Sequence, residues 1–532
     1  MLRRRVSSLL LGLASIAPAL PAAALPSGVA VDVAVNQPMT VSELVLSDSG
    51  HVTYRWNGGG DFSGINSWTR EGGTTTVAQI GQPAPGGGSF LNFGYGSFTN
   101  YGFFVVGDGG DVTFRNAVNM GGGLDGSNNG LWGPGAGGAL ALLARYGQAL
   151  PGDASGGLMS AQDSPIGGFP GTLSVSGVTV DDAGRTLFGA TFQIGPGGVT
   201  SSNDGVLYQS DGAGSGSILA REGDPVTGAA PGTAYAGSFA GLESQAGIAF
   251  RASTTAGSGL FTEDTGGAFA PLVMEGDAAP GTSGAVFGGF FLPFSPGRID
   301  ANGTLMFQNT LQSGIGGVTS ANDTGFWGPN GLIAREGDQA PGAPAGALFQ
   351  GFAGVELDDA GFAFRAALQT GPGGVTSANN TGLWRPDDDG GVILLTREGD
   401  AVPGLPGVSF ADLASAAVAV NAQGETAFLA GFTIGSGGVT TANDKALFFA
   451  DAHGLLTLLL REGDILPGLG TLQSLEALGG LNEAGQIAVK AFFAPSGAPV
   501  NTVVLLLSIP EPSIAWMLGF GFALLGAQRR RH

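Results

Sequence analysis

The chain has no cysteine. That excludes a disulfide framework and any thiolate metal site. Lysine is almost missing, with only Lys445 and Lys490, and histidine is confined to His51, His453 and His532. A phosphate-cradling loop closed by lysine has nothing to build it, and metal or triad chemistry based on histidine is poorly supplied. Charged residues make up only 12% of the 532 positions, and basic residues are outnumbered 21 to 42, for a formal net charge of −21. Six of the basic residues sit at the extreme ends, as Arg3, Arg4, Arg5, Arg529, Arg530 and Arg531. The body between them carries a charge of roughly −27, which repels nucleic acid and anionic membranes. Helical periodicity is also missing outside the two ends, so a helical body is excluded. Glycine is abundant, with 99 residues, but it follows no triplet period, which excludes collagen. Hydrophobic content of 43% is that of a chain that folds.

What the chain does have is one short stretch, many times over. Arg335-Glu336-Gly337-Asp338-Gln339-Ala340-Pro341-Gly342 returns at Arg397 to Gly404 and at Arg461 to Gly468. Related copies start at Arg221 and Met274, and worn ones centre on Gly147 and Gly81. A second signature lies upstream of each copy: Asn421-Ala422-Gln423-Gly424-Glu425-Thr426-Ala427-Phe428, repeated at Asn482 to Val489, Asp181 to Phe188 and Asp300 to Phe307, with shorter forms elsewhere. A period of some sixty residues sets a repeat architecture. Each unit reads as four strands, A to D. An Asx-x-x-Gly turn joins A to B, a polar glycine-rich loop joins B to C, and Arg-Glu-Gly-Asp follows D.

This second signature resembles the NxxGxxAF tandem repeats of choice-of-anchor bacterial surface proteins, over nearly the whole body. Four short strands per unit predict the blade of a β-propeller. Eight units have strands A to C but only seven have D, while Val29 to Val35 is a spare strand at the start. The expectation is an all-β, eight-bladed ring over residues 25–508, closed by that spare strand. A seven-bladed ring comes second and an open solenoid third. Inward and outward side chains should alternate along strand B, with Phe364 and Phe428 buried. In an up-and-down blade the B–C loops and the turns after D share one face, so Asn322 and Asp338 should lie together.

The two ends carry addresses. Arg3-Arg4-Arg5, an apolar run from Leu9 to Leu20, and a cleavage site at Ala22 and Ala24 make residues 1–24 a secretory signal peptide with a helical core. Residues 509–532 contain Pro510-Glu511-Pro512, an apolar segment from Ser513 to Ala527, and Arg529-Arg530-Arg531. These parts, in this order, resemble the PEP-CTERM sorting signal of exopolysaccharide-producing Gram-negative bacteria. The resemblance implies export by the Sec machinery and a transient inner-membrane helix. It also implies cleavage by an exosortase and a final place at the outer surface or in the extracellular matrix.

The repeated loops are where chemistry could sit. Gly197 to Asp204 recurs at Gly316 to Asp323, Gly373 to Asn380 and Gly437 to Asp444. The first reading is structural, with Asn and Ser satisfying their own backbone. The functional reading is a ring of oxygen ligands for Ca²⁺ or exopolysaccharide, drawn from Asn203, Asp204, Asn322, Asp323, Asn379, Asn443 and Asp444. Asp224, Asp277, Asp338, Asp400 and Asp464 of the Glu-Gly-Asp turns have the same two readings; in the structural one, glycine allows a tight turn and the arginine pairs with a carboxylate. No cofactor and no catalytic residue is expected. Carboxylates that recur with the repeat point to structure, whereas a glycosidase needs two unrepeated ones in a cleft. The chain therefore reads as a non-enzymatic surface or biofilm-matrix platform, and alternatively as a secreted polysaccharide hydrolase or lyase.

Overall fold

A computed structural model describes residues 25–510, apart from segments at 59–61, 92, 94–103, 122–128, 163–171, 174, 182, 245–246, 264–266, 291–296, 300–304, 359–360, 388–390 and 496–498. The expected signal peptide, including Ala22 and Ala24, and the expected sorting segment from Glu511 to His532 lie outside the described residues.

The body is an eight-bladed β-propeller. Blade 6 shows the unit most clearly. Strand A is Phe349–Asp358, B is Gly361–Leu368, C is Thr381–Pro386 and D is Val392–Arg397, paired antiparallel in that order. Strand A is innermost, since the A strands of neighbouring blades meet one another. In blades 4 and 5 they form a short parallel ladder, Glu243↔Arg298 and Ser244↔Ile299. Blade 8 borrows its fourth strand, as expected. Ala30–Gln37 pairs antiparallel with Asn501–Ser508, outside strands Gly470–Leu481 and Gln486–Ala494.

The core is eight cores, one between each pair of neighbouring blades. Between blades 6 and 7, Ala363 and Leu383 of one meet Phe410, Phe428 and Phe448 of the other. The ring closes because Ala488, Val504 and Leu506 of blade 8 pack with Val41, Val52 and Tyr54 of blade 1. This arrangement corrects the expected alternation along strand B. Phe364 and Phe428 are fully buried, and so are Ala363 and Ala427. Both faces of a blade are covered by neighbours, so alternate residues of strand B enter different cores. Phe428 joins the core shared with blade 6, and Ala427 the one shared with blade 8.

The Asx-x-x-Gly turns of blades 7, 8, 1 and 2 are linked from one blade to the next. Asn482 Oδ1 accepts from the Gln486 amide at 2.9 Å, which shapes its own turn. Its Nδ2 donates to the Ser47 carbonyl of blade 1 at 3.2 Å, and Asn421 Nδ2 donates to the Asn482 carbonyl at 3.3 Å. The Ser49 amide donates in turn to the Asp108 carbonyl of blade 2 at 3.0 Å. Gly110 needs to be glycine twice over: its φ is +90°, and the His51 ring of the preceding blade lies where a Cβ would be.

Candidate functional site

The B–C loops and the turns after strand D share one end of the ring, the loop face, as the strand order requires. Arg335 Nε donates to the Asn322 carbonyl at 2.7 Å, and a Cβ on Gly337 would lie 3.2 Å from the Asn322 Cβ. Asp338 and Asn322 are therefore neighbours. The opposite end, the turn face, carries the A–B and C–D turns.

The recurrent B–C loops of blades 3, 5, 6 and 7 are each pinned by a buried valine. Val199, Val318, Val375 and Val439 are 2–3% exposed and plug the ends of the inter-blade cores. The asparagines then fold the loop on itself. Asn203, Asn322, Asn379 and Asn443 each accept, through Oδ1, from the backbone amide of the threonine three residues earlier at 2.7 Å. The Glu-Gly-Asp aspartates do similar work. Asp224, Asp277, Asp400 and Asp464 accept through Oδ2 from the amides of Arg221, Met274, Arg397 and Arg461, at 2.7–2.9 Å. Asp338 sits in the matching turn, where the Phe349 amide donates to its carbonyl at 3.0 Å; burial raises its carboxyl pKa, and Arg335 offsets part of that. The side chains proposed as ligands are thus largely engaged in shaping their own loops, as the structural reading has it.

The arginines need a correction. Arg221, Arg335 and Arg461 do not take a carboxylate as their Nε partner. Nε donates to the carbonyls of Asn203, Asn322 and Asn443, at 2.7, 2.7 and 2.9 Å. A planar guanidinium at the end of strand D meets the neighbouring loop backbone edge-on, so the partner is main chain and leaves no trace in the sequence.

The glutamates of the motif were missed as individual residues. Glu222, Glu336 and Glu398 accept through Oε2 from the amides of Gly205, Thr324 and Thr381, at 3.3, 3.3 and 3.2 Å. These amides open strand C of the same blade. Glu398 and Glu462 also reach the next blade through Oε1, to the amides of Leu413 at 3.1 Å and Leu475 at 3.4 Å. In three blades an aspartate carboxyl acts on the glutamate: Asp204 on Glu222, Asp323 on Glu336 and Asp444 on Glu462. Burial and the aspartate raise the pKa of Glu336 and of Glu462 to about 7, and shift Glu222 upward. The signal that could have found these pairs is the aspartate closing the loop signature, which in blade 6 is replaced by Asn380. Among the described residues, no three His, Asp or Glu side chains come together as a metal cluster.

Five Ile side chains are exposed on the same face, two of them, Ile80 and Ile465, in the turns after strand D at 44% and 67%. Ile194, Ile315 and Ile434 are 64%, 42% and 57% exposed, and each lies within the tight turn that opens a B–C loop, in blades 3, 5 and 7.

Of the two segments expected at the ends to direct export and sorting, only the edge of one is described. Pro510 comes two residues after the last strand ends at Ser508, and a Cβ on Gly28 would touch its ring at 3.0 Å. Among the described residues, no helix is long and apolar enough to cross a membrane.

A sequence model described as "Family of unknown function (DUF7453)" matches residues 22–162, 153–332 and 328–516. The chain belongs to that family. No curated protein matches it. Several solved structures are similar at low identity. The crystal structure of polysaccharide lyase Uly1 is 10% identical at a TM-score of 0.31, covering 88% of this chain and 90% of that one. AofleA from Arthrobotrys oligospora is 10% identical at 0.23, covering 63% and 87%. Fructan 1-exohydrolase IIa from Cichorium intybus is 11% identical at 0.22, covering 89% and 96%. Likeness at this level carries no argument about what the chain does.

Proposed function

We propose that this member of DUF7453 is an exported surface or biofilm-matrix ring, a non-enzymatic platform whose loop face binds exopolysaccharide or a neighbouring matrix component. In this reading the Sec machinery exports it, the C-terminal segment holds it briefly in the inner membrane, and an exosortase releases it at Pro510-Glu511-Pro512. The observation that carries the platform reading is an exposed isoleucine in the opening turn of three B–C loops, at matching positions in blades 3 and 7 and two residues later in blade 5. The fold buries the valine a few residues further along each loop, yet leaves Ile194, Ile315 and Ile434 in solvent. Exposed apolar side chains repeated around one face suit contact with a broad surface better than chemistry in one cleft. The polar side chains between them are engaged in the loops themselves, as an unreactive support requires.

The test uses the exopolysaccharide of the producing organism. Co-sedimentation of the protein with intact polymer supports the platform. Shortening of the polymer overturns it in favour of a hydrolase or lyase. Replacing Ile194, Ile315 and Ile434 together by serine should reduce co-sedimentation at least several-fold and leave the melting temperature within about 2 °C, since exposed substitutions cost little stability. Unchanged binding would remove the isoleucines from the proposal.

A further inference from the structure

We propose that the two ends of the ring form a lock at the turn face, and that the closed lock shields the root of the C-terminal segment from proteolysis. That segment must then be cut off before the ring closes, not after. The order of events rests on the sorting reading above; the lock itself does not.

Four parts meet where the chain leaves the body. The first is the closing strand, which sets Ala30 opposite Ser508 and Val31 opposite Leu507. The last body residues therefore lie between two strands, Gln486–Ala494 on one side and Ala30–Gln37 on the other. The second part is the tail ahead of the closing strand. The Val29 amide donates to the Pro26 carbonyl at 3.2 Å, a β-turn with glycine at the position that takes positive φ. Gly28 has φ +93°, and a Cβ there would lie 3.0 Å from the Pro510 Cγ and 3.7 Å from its Cβ. The third part is the A–B turn of blade 8, where the Ile509 amide donates to the Gly485 carbonyl at 3.0 Å. The fourth comes from the C–D turn of blade 1. Arg70 donates through Nε to Asp32 Oδ2 at 2.8 Å and through Nη2 to Ser508 Oγ at 3.0 Å. One side chain of blade 1 thus holds both terminal strands of blade 8. Leu25, Val29 and Ile509, partly buried, pack on the core between blades 7 and 8.

This arrangement opposes any cut at the root. Proteolysis inside a folded region proceeds through its transiently open form. The residues ahead of the bond after Pro510 belong to the body: Leu507 is fully buried, while Ser508 and Ile509 are held by the bonds to Arg70 and Gly485. Cutting there requires the ends to part. The lock also cannot form early. Its halves, Ala30–Gln37 and Asn501–Ser508, are the first and last strands of the body, so it closes only when all eight blades are in place. Until then the root is free to enter a protease. The topology therefore sets a sequence of export, removal of the C-terminal segment, and closure.

The test uses the chain from Leu25 to His532, purified in detergent, with a proline-specific endoprotease that accepts whole proteins. Intact mass follows the loss of the residues after Pro510 or Pro512. A variant with Gly-Ser-Ala-Pro-Gly-Ser inserted after Pro510 supplies a proline bond away from the body. The wild-type chain should be cut at least about tenfold more slowly than the inserted one, because only its open form is a substrate. Gly28→Val forces a side chain against Pro510 and should speed the wild-type cut about fivefold or more, since both its φ and the contact demand glycine. Arg70→Gln releases Asp32 and Ser508 together and should speed it about two- to fivefold, the range an exposed ion pair allows. Arg185→Gln removes another exposed ion pair of the turn face, to Asp181 at 2.7 Å in blade 3, and should change nothing. A wild-type chain cut as fast as the inserted one overturns the lock, and so do end variants cut no faster than wild type. Should Gly28→Val unfold the ring, Arg70→Gln and the ratio of wild type to inserted chain decide. The order is read in the producing cells by pulse labelling: uncut chain should be sensitive to added protease and cut chain resistant. Uncut chain that is already resistant overturns the order and leaves the lock; a chain never cut in the cell defeats the sorting reading instead.

Discussion

A single tryptophan shows how the repeat signatures become one contact. Trp384 is fully buried, stacks on Phe364 at 6.0 Å and meets Phe349 edge-on at 5.1 Å. Its Nε1 donates to the Pro341 carbonyl at 2.9 Å. Trp132 and Trp327 reach Pro85 and Pro280 in the same way at 3.1 Å, and Tyr208 uses its hydroxyl on Pro151 at 2.7 Å. The Pro-Gly bend after strand D and the aromatic of the following strand C are thus two halves of one joint. Gly382 belongs to it too, since a Cβ there would sit 2.6 Å from the Trp384 ring. Trp384→Phe should cost about 1 kcal/mol, the net value of a hydrogen bond. Trp384→Ala should cost about 3–5 kcal/mol, because it also empties the core. Gly382→Ala should cost about 1–3 kcal/mol by forcing the ring aside. Urea unfolding measures all three, and equal losses for Phe and Ala would mean that the ring packing contributes nothing. The sequence displayed both motifs but not their bond, because the acceptor is a backbone carbonyl. The same reason hid the arginine partners and the amides held by Glu398 and Glu462.

At the scale of the element, the closure of blade 8 is the feature with the largest consequence. Val503 to Leu507 are 0–1% exposed, and their outer edge is covered only by the ladder from Ala30↔Ser508 to Gln37↔Thr502. Removing residues 25–38 would leave a long, apolar, unpaired edge, which is a template for strand addition between molecules. The truncated chain should therefore run as larger species than the intact chain in size-exclusion chromatography, and a peptide spanning residues 28–38 should restore the intact profile. A truncated chain that elutes and melts like the intact one would show that the closing strand is dispensable. This element was legible because the strand count left one vacancy and one spare. The inner strands were less legible. In blade 7 the A position is two pieces, Phe410–Ala411 and Val418–Val420, both paired to strand Thr426–Phe432. The break passes through Asp412, whose φ is +49°. Glu43 interrupts strand Thr40–Leu46 of blade 1 at the same φ. Neither residue announces a left-handed conformation, so period-2 reasoning runs straight through both.

The whole molecule has a direction. Its first and last strands pair so that Ala30 faces Ser508, and the Ile509 amide donates to the Gly485 carbonyl in the A–B turn of blade 8 at 3.0 Å. Both ends of the body therefore emerge together from the turn face, and the loop face points the other way. If the proposed sorting segment holds the chain in the inner membrane, with Arg529 to Arg531 on the cytoplasmic side by the positive-inside rule, the tether attaches at the turn face and the isoleucine-bearing loops are presented outward. Replacing Pro510, Glu511 and Pro512 by alanine should keep the full-length chain in the inner-membrane fraction. Intact-mass measurement of the wild-type surface protein should find neither Trp516 nor the terminal arginines; a mass that still includes them identifies an ordinary tail anchor. The uncut variant then allows a test of orientation, because the chain has no cysteine of its own. Ile434→Cys on the loop face and Leu455→Cys in a C–D turn of the opposite face begin from comparable exposure, 57% and 69%. In spheroplasts a bulky maleimide should label position 434 several-fold faster than position 455, while the detergent-solubilised protein should show similar rates at both. Equal labelling before solubilisation would mean that the ring swings freely on its tether, and faster labelling at position 455 would mean that the tether leaves from the loop face.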